Sequence, residues 1–156
     1  SIDTVLELAK ILSKKETYGG NKKWEILPSI ILESFGPDTY LFLISDFINW
    51  NENLFDLILK AANKFKGVFV FMVRDPIDSY LPKGLGYIYL SDPVTGEVSL
   101  VNVDKIREEF NQKAREEEEY IERNTLANGG YFLKIHTNED WTHKVLKFFV
   151  RLGRWK

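Results

Sequence analysis

Cysteine is absent from this sequence, which excludes disulfides, thiolate metal sites and a cysteine nucleophile together. Histidine is scarce: His136 and His143 are the two present, and their spacing does not make a zinc pair. No apolar run approaches the roughly 18 residues that a membrane-spanning helix needs, and the first residues show no signal-peptide pattern. Neither sign of charge dominates: a formal net charge of −2 gives no global reason to expect nucleic acid or an anionic membrane as partner. Phosphate-cradling glycine loops are missing too, because "YGGN" and "PKGLG" lack the spacing of a Walker or dinucleotide motif. No nucleophile-elbow motif accompanies His136. These absences lead us to expect a soluble, cytoplasmic, non-enzymatic chain with no membrane span, no nucleic-acid partner and no bound cofactor.

What is present is ordinary for a globular protein. Hydrophobic residues make up 44% and charged residues 28% of 156 residues, enough to bury a core in one domain spanning 1–156. The aromatic share of 14% is high, but Phe and Tyr alternate with aliphatics inside apolar runs, which favours core packing over a base-stacking platform. Lys14, Lys15, Lys22 and Lys23 form the one basic cluster, and we read it as a solvated loop. The run Arg115-Glu116-Glu117-Glu118-Glu119 is read likewise as a solvated helix face, with an acidic docking surface as the alternative.

Periodicity predicts a helix over Ile2 to Leu12, a polar loop through Gly19-Gly20, and a second helical stripe from Trp24 to Phe35 with Pro28 in its first turn. "TYLFLIS" is a continuous apolar run of strand length, an amphipathic helix follows from Leu54 to Phe65, and "VFVFMV" is another run apolar on both faces. Strand, helix and strand joined by short connections predict a right-handed crossover and a parallel sheet. Two alternating segments around Asp92-Pro93-Val94-Thr95-Gly96 predict a β-hairpin. A long helix is expected from Val103 to Ala127, then a third parallel strand at "YFLKI", then a closing helix from Trp141 to Leu152.

Ligands of open parallel sheets bind at the carboxyl ends of the strands. Three such ends supply Ser45, Asp46 and Asn49; Arg74, Asp75 and Asp78; and His136, Thr137 and Asn138. Their oxygens are hard donors suited to Mg²⁺ or Ca²⁺. Asp46 and Asp75 also read as caps of the turns that follow them, a reading favoured for Asp75, which precedes Pro76. An Mg²⁺-dependent phosphoryl-transfer or hydrolytic enzyme using Asp46 and Asp75 is the alternative to a non-enzymatic domain.

The succession "LFLISDF", "VFVFMVRDPIDSYLP", "LSDPVTGE", "VDKIREEF" and "HTNEDWTHKVLKFFVR" resembles, from about Asp38 to Arg151, a family of von Willebrand factor A-like proteins. These bacterial and archaeal proteins often accompany MoxR-type AAA+ ATPases and are classed as a domain of unknown function. The resemblance implies a three-layer α/β fold with a mostly parallel, von Willebrand A or Rossmann-like sheet, here truncated and carrying an added hairpin. It also implies an adaptor that binds proteins, with an AAA+ ATPase as partner. Its metal-ion-dependent adhesion site would include Asp46; Ser45, Asn49, Asp75, Asp78 and Thr137 are the strand-edge polar cluster read above from the strand ends themselves. The D-x-S-x-S motif of that site is not found, and Asn21 stands about where its threonine is expected, so the resemblance implies an incomplete or vestigial site. Mg²⁺ would bind only if the site were completed. Without the first strand of that fold, Tyr40 to Ser45 becomes an apolar edge. We expect it to be covered by the Ile2 to Leu12 helix, or by a second copy in a homodimer.

Overall fold

The computed structural model describes residues 2–14, 24–48, 50–91 and 96–153. Helix α1 spans Ile2–Leu12; a 3₁₀ turn at Trp24–Ile26 leads into α2, Leu27–Ser34. Then come β1 (Tyr40–Ser45), α3 (Glu52–Ala62), β2 (Gly67–Arg74) and the short α4 (Pro76–Ser79). A hairpin of β3 (Tyr87–Ser91) and β4 (Val98–Asn102) precedes the long α5 (Val103–Ala127), β5 (Tyr131–His136) and α6 (Trp141–Arg151). Small polar side chains start the helices by accepting an orphan backbone N–H: Asn51 from Leu54, Asn102 from Lys105, and Asp140 from His143.

The three-stranded sheet has the order β1-β2-β5 and is parallel throughout. Its register sets Leu43 beside Val70 and Val70 beside Phe132, so these side chains share one face. On that face Leu41, Leu43, Val68, Val70, Met72 and Phe132 pack with Phe55, Ile58 and Leu59 of α3, Ile31 of α2 and Ile121 of α5. The other face carries a stacked row, Phe42 on Phe69 at 4.8 Å and Phe69 on Tyr131 at 5.0 Å, against which α6 lays Phe148 and Phe149. Helices thus flank the sheet on both faces, and β2 is the central strand, buried nearly throughout. This is the expected α/β arrangement with an added antiparallel hairpin.

Asp104 at the start of α5 ties the hairpin down. Its two carboxylate oxygens accept the N–H groups of Gly84 (2.8 Å) and Gly86 (3.0 Å). Both glycines have positive φ, 83° and 61°, so "PKGLG" is a turn that needs glycine for its backbone. The expected hairpin turn, Asp92 to Thr95, lies outside the described residues, as do Asn21 and most of the basic loop.

β1 is an edge strand: β2 lies on one side, and no strand lies on the other among the described residues. Its row on the aromatic face stays open, with Ile44 65% and Phe42 47% exposed. The expectation that α1 covers this row is not met. No residue of α1 is buried, and α2, which follows it, packs with α3 on the opposite face.

Candidate functional site

The carboxyl end of β1 is a turn built by its own side chains. Ser45 Oγ accepts the N–H of Phe47 (3.2 Å), and Asp46 Oδ1 accepts the N–H of Ile48 (3.1 Å). Between them Phe47 adopts φ 55°, a left-handed conformation rare outside glycine, and yet it is buried. Its ring packs on Trp50 at 5.0 Å and edge-on against Phe55 at 5.7 Å. Left-handed backbone costs about 1–2 kcal/mol, and burying a phenylalanine returns about 1.5–3 kcal/mol, so packing holds the turn in place. Asp46 ends the strand as a cap.

The cation beside this turn is Arg74, the last residue of β2, only 1% exposed. Its Nε donates to the carbonyl of Asp46 (2.7 Å), and one terminal nitrogen reaches the carbonyl of Phe47 (3.5 Å) and Glu117 Oε2 (3.3 Å). The other terminal nitrogen lies 3.6 Å from Glu118 Oε1. Glu118 also accepts Ser79 Oγ (2.6 Å) and pairs with Lys134 Nζ of β5 (2.6 Å). One buried guanidinium therefore joins the ends of β1 and β2 to α5, and Lys134 extends the network to β5. Two cations face two carboxylates, so the network is neutral, the condition for holding charge inside a fold. The acidic run of α5 is thus not wholly solvated: Glu116 and Glu119 are exposed, whereas Glu117 and Glu118 turn to the sheet.

The remaining candidate residues divide. Asp75 Oδ1 caps α4 through the N–H of Ile77 (3.1 Å), and Asp75 Oδ2 accepts the hydroxyl of Thr137 (3.0 Å), so the ends of β2 and β5 do meet there. Asp78 lies elsewhere, in a small pocket with Arg74, Lys113 and Glu117. Asn49 is outside the described residues. His136 holds its backbone N–H on Glu139 Oε1 (2.5 Å), and Lys144 Nζ binds the same oxygen (2.6 Å). These two donors, Lys144 first, hold the Glu139 carboxyl below its ordinary range.

Asp75 and His136 open on a cleft of about 610 Å³ between α4, α5 and the strand ends. Ser79, Tyr80, Asn111, Arg115, Glu118 and Lys134 also line it, and none of them figures among the residues expected from the sequence as site residues. Asn111 is buried and engaged in both directions with the backbone of Leu81. The missed signal was the spacing Ala114, Glu117, Glu118, Ile121, which puts both carboxylates on the core-facing stripe of a helix.

A divalent ion is implied by the resemblance, and the described donors do not fit it. Asp46 and Asp75 are each engaged with their own turn, and the cation at the strand ends is a guanidinium. Among the described residues no group of three or more His, Asp or Glu side chains is placed to hold a metal ion. Likewise, among the described residues no helix is long and apolar enough to cross a membrane.

Searches of the curated proteins and of the solved structures give no match to this chain. A family profile does match, over residues 37–120, from just before β1 into α5. That span holds β1, β2, the hairpin, Arg74 and its acidic partners, and it is more than half of the chain. The chain belongs to the family described as protein of unknown function DUF58.

Proposed function

We propose that this chain is a non-enzymatic protein-interaction domain that takes a strand of a partner along the open edge of β1. The observation that carries this reading is the edge itself: a parallel edge strand with Phe42 and Ile44 exposed beside it. Edges of this kind pair readily with another chain unless something blunts them. Main-chain hydrogen bonds supply affinity there, and the alternate side chains select the partner. The turn at Asp46–Phe47, fixed by Arg74, keeps the carboxyl end of the strand in one conformation, which limits the ordering cost of binding. The resemblance to von Willebrand factor A-like proteins makes a MoxR-type AAA+ ATPase the partner to test first. A second copy of the chain is the competing occupant of the same edge.

The test is a binding titration of the ATPase from the same genome against the chain and against Ile44→Lys. A lysine at this exposed position leaves the core intact and blunts the edge. The expected result is binding that weakens by about tenfold or more in the variant, as loss of one well-packed interface contact does. Equal binding by both proteins, or none by either, contradicts the reading. Sedimentation of the chain alone separates the competitor, because a dimer that Ile44→Lys dissociates assigns the edge to self-association.

A further inference from the structure

The cleft beside Arg74 carries a second inference, independent of the edge. Its volume of about 610 Å³ is in the range of small-molecule sites, and it lies outside the carboxyl ends of two parallel strands. One wall is apolar, formed by Pro76, Ile77, Tyr80 and Pro82. The polar lining is mostly engaged. Glu118 binds Ser79 and Lys134, Asp75 binds Thr137 and the N–H of Ile77, and Asn111 binds the backbone of Leu81.

One charged lining group differs. Arg115 lines the cleft and makes no hydrogen bond or ion pair among the described residues, so its guanidinium donors are available. A guanidinium with open donors matches the planar, two-oxygen face of a carboxylate or the oxygens of a phosphate ester. An apolar wall opposite calls for a hydrocarbon body on that acid.

We propose that this cleft binds a small organic anion with an apolar body, a carboxylate or a phosphate monoester, anchored on Arg115. Arg115 stands on α5 one residue beyond Ala114, whose side chain is buried, so the anchor rises from a helix packed into the fold. Pre-placed anchors on rigid elements are what small-molecule recognition needs.

The experiment is NMR titration of the whole chain with benzoate, with phenyl phosphate and with neutral benzamide, following the Arg115 Nε–H and the His136 ring signals. Saturable shifts in the low-millimolar range are expected for at least one of the two anions, as suits fragments of this size. Whichever anion binds more tightly names the acid group. Arg115→Gln should weaken binding by about tenfold or more, the loss expected for a charge-assisted hydrogen bond. Arg115→Lys, which keeps the charge but not the fork, should fall between. Arg115 is exposed, so amide spectra of both variants should overlay those of the parent away from the cleft. Shifts as large with benzamide, no saturable shift with either anion, or unchanged affinity in Arg115→Gln would overturn the proposal.

Discussion

Arg74 decides the shape of the strand ends, and at the residue scale its removal is the informative change. A methionine there fills similar volume but abandons the carbonyls of Asp46 and Phe47 and leaves Glu118, only 16% exposed, without one of its cations. Breaking such a network by removing one member costs about 3–5 kcal/mol. Urea unfolding of Arg74→Met should therefore show a large loss, and a change below about 1 kcal/mol would mean that the network is ornamental. Tyr120 is a second residue with a measurable signature. Burial first, then the charge and hydrogen bond of Asp56 and the charge of Glu52, push its phenol from 10.0 up to about 12. Below pH 10 the folded and unfolded phenols are both protonated. Between 10 and about 12 the unfolded phenol gives up its proton while the folded one keeps it, so stability falls as pH rises through that window. Tyr120→Phe should flatten this alkaline limb; a limb of unchanged slope would contradict the assignment. Asp46 was legible in the sequence as a strand-ending carboxylate, with a cap as one of its two readings. Glu117 and Glu118 were not, because a run of like charges reads as a solvated face until its phase against Ala114 and Ile121 is counted.

At the scale of elements, the strand-helix-strand unit from β1 to β2 follows from two apolar runs joined through an amphipathic helix. β5 follows from the same logic after the long helix. The return from α5 to β5 depends on Gly130. A Cβ there would stand 2.9 Å from Thr125 Cγ2, 3.0 Å from the Thr125 carbonyl and 3.2 Å from that of Val68. Two of these neighbours are backbone, so Gly130→Ala must push the α5 end away from β2. The expected loss is about 1–3 kcal/mol, as for other overpacked sites, measurable by thermal or urea unfolding; a neutral outcome would show that the turn relaxes freely. What the sequence left unread was α4. Its four residues, Pro76–Ser79, are too few to show a period, and Asp75 as cap was the one local sign of it. The placement of α1 was also beyond reach. An apolar stripe says that a helix has a face to bury, not which surface receives it.

At the scale of the whole molecule, asymmetry about the sheet is the main fact. α2, α3 and α5 contribute to the core on one face, whereas on the other, among the described residues, α6 packs its Phe148 and Phe149 on the aromatic row and the outer part of β1 stays open. The parallel sheet was legible from its continuous apolar runs, whereas the edge position of β1 was expected only from the family resemblance. The occupant of that edge was not legible, because nothing in an apolar strand distinguishes a partner's strand from a second copy. Family membership over residues 37–120 includes this edge, and the edge is where the proposed function rests. The direct measurement is amide hydrogen exchange across Leu41 to Ser45, in the chain alone and with a MoxR-type AAA+ ATPase added. Strand pairing predicts that the exchanging amides of β1 become strongly protected in the complex, while those of α6 change little. A complex that forms with β1 exchanging as fast as before, or protection that falls on another element, would contradict the account.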